Sequence, residues 1–395
     1  MRIVKIEDLH ADGGWQTLSF LKITTDTGLV GWSEFNEGFS LGLTAVVRRL
    51  AETLIGKDPR QISLLTTLLS ARHRATIGGL NAQAVAALEN ACLDIKAKDL
   101  GVPVYELFGG ALRKRLPAYW SHCGMYRLRR PDLFEARNLS VPRTVQDMAL
   151  LGQEAVARGF GALKTNVLLF PQDGAPIVHM PGFGLGAGDP ARRLELAMLR
   201  STLDMIEQLR AGVRGKAELM LDLNFNFYPE SARRLAAALD PACMAWLEFD
   251  SLNPAELASL RQASAIPLAS LETIYGRQAM LPFLTANAVD VAIVDSMWNG
   301  FSESVRMAAL ADTFEVPVAS HVYSGHLATS IAAHFCAVIP NFRIMETDAD
   351  QVPWLDDLYI GKPGFERGEV LVPNGPGWGV EINEDEVARR PPTQK

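Results

Sequence analysis

Leu219-Met220-Leu221-Asp222, Met244-Ala245-Trp246-Leu247-Glu248 and Pro267-Leu268-Ala269-Ser270-Leu271-Glu272 are three short apolar runs, each closed by an acid. The acids lie 26 (222 to 248) and 24 (248 to 272) residues apart, close to one strand-plus-helix repeat of a parallel barrel. Carboxylates at the ends of three consecutive buried strands would share one rim and repel one another. A hard cation between them is the simplest remedy. Each acid alone has a plainer role as the N-cap of the next helix. Ser231 and Asn253, however, are available to cap those helices instead. An all-carboxylate set favours Mg²⁺, or Mn²⁺, over zinc, which recruits His or Cys.

Outward from this stretch, short apolar runs alternate with helical patterns from Leu116 onward. Eight strand ends are predicted near Ser121, Asn166, Asn224, Asp250, Thr273, Asp295, His321 and Glu346. Helices are predicted over 191–211, 231–239, 254–263, 277–286, 302–313 and 326–338. Eight strands over about 230 residues fit a closed (β/α)₈ barrel better than an open sheet, with its functional rim at the strand C-termini. A Gly/Pro-rich insert at 168–190 interrupts the rhythm and is expected to act as a lid or specificity loop.

Before the barrel, strands are predicted at 2–9, 16–25 and 29–35, and helices at 43–55, 61–73 and 82–99. Together they make an α+β module. Asp12-Gly13-Gly14-Trp15 reads as a mobile loop tipped by one aromatic. The tail over 366–382 reads as turn-rich β structure, too late for the barrel and expected on the first module. The predicted division is 1–114 plus 356–395 as cap and 115–355 as barrel.

Bulk properties narrow the function classes. With 38 basic and 45 acidic residues, the net charge of −7 argues against nucleic acid and anionic membranes as partners. Charges interrupt the first residues where a signal peptide needs its apolar core, and no uncharged run would span a bilayer. Cys92, Cys123, Cys243 and Cys336 are far apart, as expected of reduced thiols in a cytoplasmic enzyme. The acidic segment 348–357 lacks the glycines that would cradle a phosphate.

The rim carries further candidates. Asp295 ends the sixth strand and His321 the seventh, so Asp295 can orient the imidazole and raise its basicity. A lone histidine would read as structural; an Asp on the neighbouring strand end favours a base. On the second strand, Lys164 and Asn166 share a face at period two, and a barrel-interior Lys needs an anion. Glu346 closes the eighth strand. His122 and His326 lie near the rim without an evident partner, and His179 matters only if the lid closes. His10 and His73 belong to the first module, and His334 to a helix.

The chain resembles the enolase superfamily, mandelate racemase subgroup, over nearly its whole length. The resemblance rests on Ala86-Ala87-Leu88-Glu89-Asn90-Ala91-Cys92-Leu93-Asp94-Ile95-Lys96-Ala97-Lys98, on Pro103-Val104-Tyr105-Glu106-Leu107-Phe108-Gly109-Gly110 and on Pro376-Gly377-Trp378-Gly379-Val380-Glu381. The acid set, the Asp295–His321 pair and Glu346 fall in the same order and spacing. It implies an α+β cap, completed by the C-terminus, over a modified barrel, and a symmetric homo-oligomer. It also implies Mg²⁺ held by Asp222, Glu248 and Glu272, with His321 as base and Asp295 orienting it. Glu346 would hydrogen-bond the substrate carboxylate, and Lys164 would neutralise its other oxygen. Enolase-superfamily sites of this kind pair a Lys or His base with Mg²⁺.

Two positions depart from the racemase pattern. Lys164-Thr165-Asn166 stands where Lys-x-Lys is usual, and Glu248-Phe249-Asp250 where Glu-Glu-Pro is usual. An amide cannot take a proton, so Asn166 favours a one-base outcome: His321 removes the α-proton of a polyhydroxy acid and the β-hydroxyl leaves. Similar Lys-x-Asn strands occur among acid-sugar dehydratases of this superfamily. Asn166 and Asn224 are assigned to substrate binding. The alternatives are a racemase or epimerase with Lys164 as opposing base, and a non-catalytic relative that kept the fold. Specificity is expected from the Trp15 loop, the 74–81 region and the 168–190 insert.

Overall fold

The computed structural model describes residues 1–72, 77–181 and 192–392. His73, the start of the 74–81 region and most of the Gly/Pro-rich half of the insert lie outside them. The chain opens with an antiparallel sheet of β1 (Ile3–Asp12), β2 (Thr17–Thr25) and β3 (Val30–Phe35). Helices α1 (Leu43–Ala51), α2 (Ile62–Arg72) and α3 (Gly79–Leu100) cover it. A Cβ at Gly31 would come within 2.2 Å of the Ala91 carbonyl, so glycine there lets α3 lie directly on β3.

Eight parallel strands form the barrel. The first two are β4 (Arg115–Ser121) and β5 (Ala162–Asn166). A hairpin of β6 (Leu168–Leu169) and β7 (Ile177–Val178) begins the predicted insert. The others are β8 (Glu218–Asp222), β9 (Met244–Glu248), β10 (Leu268–Ser270), β11 (Val291–Val294), β12 (Val318–Ser320) and β13 (Phe342–Asp348). β13 pairs with β4, Glu346 opposite Tyr119, and the sheet closes. α4 (Met125–Arg129) and α5 (Pro131–Glu135) follow β4 at the mouth, and on the outside lie α6 (Met148–Ala157), α7 (Leu196–Val213), α8 (Pro229–Ala238) and α9 (Pro254–Ala263). They continue as α10 (Gly276–Thr285), α11 (Ser296–Asn299), α12 (Phe301–Thr313) and α13 (His326–Val338).

The barrel interior is apolar at its base, where Tyr119, Ala162, Met220, Trp246, Val291, Ile293 and Ile344 cluster. Two residues further along six of the strands the same inward register reaches Ser121, Lys164, Asp222, Glu248, Asp295 and Glu346. One alternation thus builds both the packed floor and the charged mouth.

The segment 86–98 is the docking face of α3. Asn90 donates to the Ser296 carbonyl and accepts from Phe301 N–H, both at 3.0 Å. Asp94 accepts from Trp32 N–H and Trp378 N–H, both at 2.9 Å. Glu34, on β3, accepts Gly325 N–H at 2.6 Å and Ala328 N–H at 3.0 Å at the start of α13.

The tail divides between the two parts. β14 (Tyr359–Ile360) pairs with β17 (Glu381–Ile382), and α14 (Glu384–Arg389) lies against β1. Between them, β15 (Gly364–Glu366) and β16 (Glu369–Leu371) form a hairpin, and β16 pairs antiparallel with the start of β4. That hairpin was expected on the first module. It joins the barrel sheet instead, because Arg115–Pro117 leave an open edge below the point where β13 pairs. Among the described residues no helix is long and apolar enough to cross a membrane.

Candidate active site

The charged mouth opens into a cleft between barrel and cap. Its lining includes Lys164, Asp222, Asn224, Glu272, His321 and Glu346 from the barrel strands and Phe39 from the cap. Three non-glycine residues just past strand ends have left-handed backbones: His122 (φ 51°), Asn224 (φ 46°) and Leu271 (φ 94°). Asn tolerates this region, whereas Leu does not. The strain at Leu271 immediately precedes Glu272 and is held by the surrounding packing.

Asp222, Glu248, Asp250 and Glu272 are all buried. The Lys164 ammonium reaches both Glu248 oxygens at 3.0 and 3.1 Å, Glu346 at 3.1 Å and Asp222 at 3.7 Å. Burial pulls this ammonium down, but the Glu248 and Glu346 charges outweigh it and drive its pKa well up. Burial lifts Glu248 to about 7, and lifts Asp222 and Glu272 as well. Asp250 is pushed furthest, by burial and then by the Glu272 and Asp222 charges; its Oδ2 has no hydrogen-bond partner. Glu346 goes the other way. Burial is outweighed by Lys164, His321 and His122, which hold it near 2. It also accepts Ser121 Oγ–H at 2.5 Å and Val322 N–H at 2.7 Å.

The donors suit a hard dication: buried carboxylate oxygens in excess of the cations beside them, one with an orphaned oxygen. Among the described residues, no three Asp, Glu, His or Cys side chains converge closely enough to grip an ion. Both Glu248 oxygens are turned to Lys164. The resemblance assigns that ammonium to a substrate carboxylate; here it bridges two protein carboxylates.

His321 Nδ1 and Asp295 Oδ2 are 2.6 Å apart. Asp295 Oδ1 accepts Met297 N–H at 2.6 Å and Trp298 N–H at 2.9 Å, capping α11. With Asp295 so fixed, Nδ1 is the donor and Nε2 faces the cleft, 3.6 Å from Glu272 Oε2. Burial lowers the imidazole, but Glu272, Asp295 and Glu346 together push it well above its ordinary value.

Asn166 is buried behind the lining rather than in it. It donates to Asn224 Oδ1 at 3.0 Å, and Asn224 donates to Asp222 Oδ2 at 2.8 Å. Asn224 itself lines the cleft.

The profile described as "Mandelate racemase / muconate lactonizing enzyme, N-terminal domain" matches residues 12–109, and "Enolase C-terminal domain-like" matches 147–386. The chain belongs to this family. A D-xylonate dehydratase of Haloferax volcanii is 26% identical over 98% of this family member and 88% of its own length. A D-galactonate dehydratase of Ralstonia nicotianae is 29% identical, over 99% and 94%. A crystal structure from Burkholderia xenovorans strain LB400, provisionally named an L-alanine-DL-glutamate epimerase, is 40% identical with a TM-score of 0.95, covering 100% and 99% of the two chains. A second structure under that name, bound to magnesium and fumarate, has a TM-score of 0.96 over 99% and 96%.

Against the pattern of the mandelate racemase family, this site holds features that sequence reading missed. His122 was expected to lack a partner; its Nδ1 lies 2.8 Å from Asp348 Oδ1 and 3.1 Å from the Tyr126 hydroxyl. The signal was present: Asp348 stands two residues beyond Glu346, on the strand that closes the barrel against the one ending at Ser121. His326 is also partnered, by Asp356 at 2.7 Å. Trp15, expected to be mobile, stacks on Tyr126 at 4.1 Å between centroids. His179 packs near Phe227 and does not line the cleft. Arg129 lines it, and its one hydrogen bond among the described residues is to the Met180 thioether at 3.1 Å.

Proposed function

We propose that the chain removes the proton α to a carboxylate with His321 and dehydrates a sugar acid to a 2-keto-3-deoxy acid, with Mg²⁺. The observation that carries this is the Asp295–His321 pair, whose Nε2 faces the cleft beside the buried carboxylates. The dehydratase relatives support the substrate class. Asp222, Glu248 and Glu272 would hold the ion. When bound, it would offset the negative charge that builds on the substrate carboxylate as the α-proton leaves.

The protein groups then divide the work. Asp295 keeps the His321 tautomer that presents a lone pair at Nε2. Glu272 is the largest upward pull on that imidazole, so neutralising Glu272 frees it to act as base. Glu346 stays ionised and orients the donors around it. We take 1–114 with the tail outside the 364–371 hairpin as the cap that encloses the cleft, and 115–355 with that hairpin as the catalytic barrel.

An epimerase reading has one supporting observation, the 40% identical structure named for that activity. It needs a second base. Lys164 would have to leave two carboxylates to provide one, and Asn166 has no basic lone pair. Mono- and diacid sugars incubated with Mg²⁺ should yield 2-keto-3-deoxy products, and His321→Asn should abolish them. Full activity in that variant, or inversion without dehydration, overturns this reading.

A further inference from the structure

The cleft holds a second imidazole–carboxylate pair that the mechanism above does not use. His122 follows β4 and is held at Nδ1 by Asp348, from the adjoining β13. Tyr126 reaches the same nitrogen at 3.1 Å and donates to Asp348 Oδ2 at 3.1 Å. Nδ1 is therefore a donor to that carboxylate, and Nε2 is the nitrogen left to exchange a proton with a ligand. Among the described residues none hydrogen-bonds Nε2, and the residue lines the cleft with 9% exposure. A packing histidine is handled differently in the same chain: His334 is wholly buried, 0% exposed, and accepts Tyr105 N–H.

We infer that His122 is the acid that protonates the departing β-hydroxyl. This rests on the dehydratase reading. Hydroxide is a poor leaving group and needs a proton as its C–O bond breaks. Lys164 is tied to Glu248 and Glu346, and the Asn166 and Asn224 amides carry no acidic proton. His321 is occupied with the α-proton. In the balanced sequence, the C2–H proton first passes to His321 Nε2 and the C2–H electron pair is held as an enediolate over C1 and C2, which can be reprotonated; that pair then forms the C2–C3 double bond. The C3–O pair leaves with oxygen, which takes the Nε2 proton of cationic His122 and departs as water. The enol then gains a proton at C3 from His321 and loses its hydroxyl proton toward His122, restoring both groups.

The test uses the full-length enzyme with Mg²⁺ and a sugar acid that it dehydrates, in D₂O. His122→Asn should slow dehydration by about 10²- to 10⁴-fold. It should still wash deuterium into C2 of unreacted substrate at a rate near wild-type turnover. Fluoride leaves with little help from a proton, so loss of fluoride from the matching 3-deoxy-3-fluoro acid should fall by less than about tenfold. Asp348→Asn should show the same split more weakly, which keeps the test open if His122→Asn does not fold. Undiminished dehydration in folded His122→Asn overturns the inference and assigns both proton transfers to His321. Parallel loss of exchange, dehydration and fluoride release overturns it in favour of a structural His122. A wild-type enzyme that exchanges the α-proton but never dehydrates overturns the dehydratase reading itself.

Discussion

Asp295 divides its two oxygens, one to His321 Nδ1 at 2.6 Å and the other to the N–H groups of Met297 and Trp298. The base is thereby fixed to the first turn of a helix. Asp295→Asn keeps the size of the group but can present an amide N–H to the ring, which favours the wrong tautomer. The expected outcome is a fall in kcat of about 10²- to 10⁴-fold with KM changed little. Steady-state kinetics check it, and a variant within tenfold of wild type would deny Asp295 its orienting role.

Lys164 is the cation nearest three buried acids, so its removal leaves them uncompensated. Lys164→Met should destabilise the metal-free protein by about 3–5 kcal/mol. Urea denaturation in EDTA measures the loss. Addition of Mg²⁺ should recover part of it, because a dication supplies the missing charge.

Bound Mg²⁺ should stabilise the wild-type chain by about 2.7 kcal/mol at a hundredfold excess over its Kd. Asp222→Asn should shrink that shift markedly. Thermal melts with and without chelator decide the matter, and an unchanged shift would remove Asp222 from the ligand set.

Among the described residues, Arg129 faces the cleft with only a thioether as hydrogen-bond partner, whereas Arg127, two residues earlier, is clamped by Asp350 and Glu154. A guanidinium without a carboxylate is free for an anionic substrate. Arg129→Met is expected to raise KM by about tenfold or more while kcat stays within about threefold, in keeping with a lost charge-assisted hydrogen bond.

His334 sets an acid limit on stability. Burial lowers its pKa from 6.5 to about 3. As pH falls through 6.5 the unfolded chain takes up a proton here and the folded chain does not. Stability is thus complete above about pH 6.5 and declines toward pH 3. Between about pH 7.5 and 5 the loss should be on the order of 2 kcal/mol. His334→Asn keeps an acceptor for Tyr105 N–H and cannot titrate, so its urea midpoint should vary less over that range.

The barrel was legible because its strands are apolar runs punctuated by acids, and Asp222, Glu248, Glu272, Asp295 and His321 announce themselves at those ends. What sequence reading missed depends on closure. His122 and Asp348 are 226 residues apart; a closed barrel makes the first and last strands neighbours, but no local pattern shows which residues meet across that seam. Trp15 read as mobile because its glycine-rich loop hides the Tyr126 ring it stacks on. The tail hairpin was misplaced for the same reason, since its partner is the open edge of β4.

That closure also bears on the order in which the molecule can be made. β4 leaves the ribosome early, but one of its barrel neighbours, β13, and its lower edge partner, β16, are translated more than 220 residues later. Until then a nearly complete half-pipe must hold an unpaired strand edge and a ring of carboxylates open to water, where they are well solvated. Desolvation of those acids therefore comes at the end of synthesis, when the last strands seal the seam and the cleft comes into being with the whole chain already present.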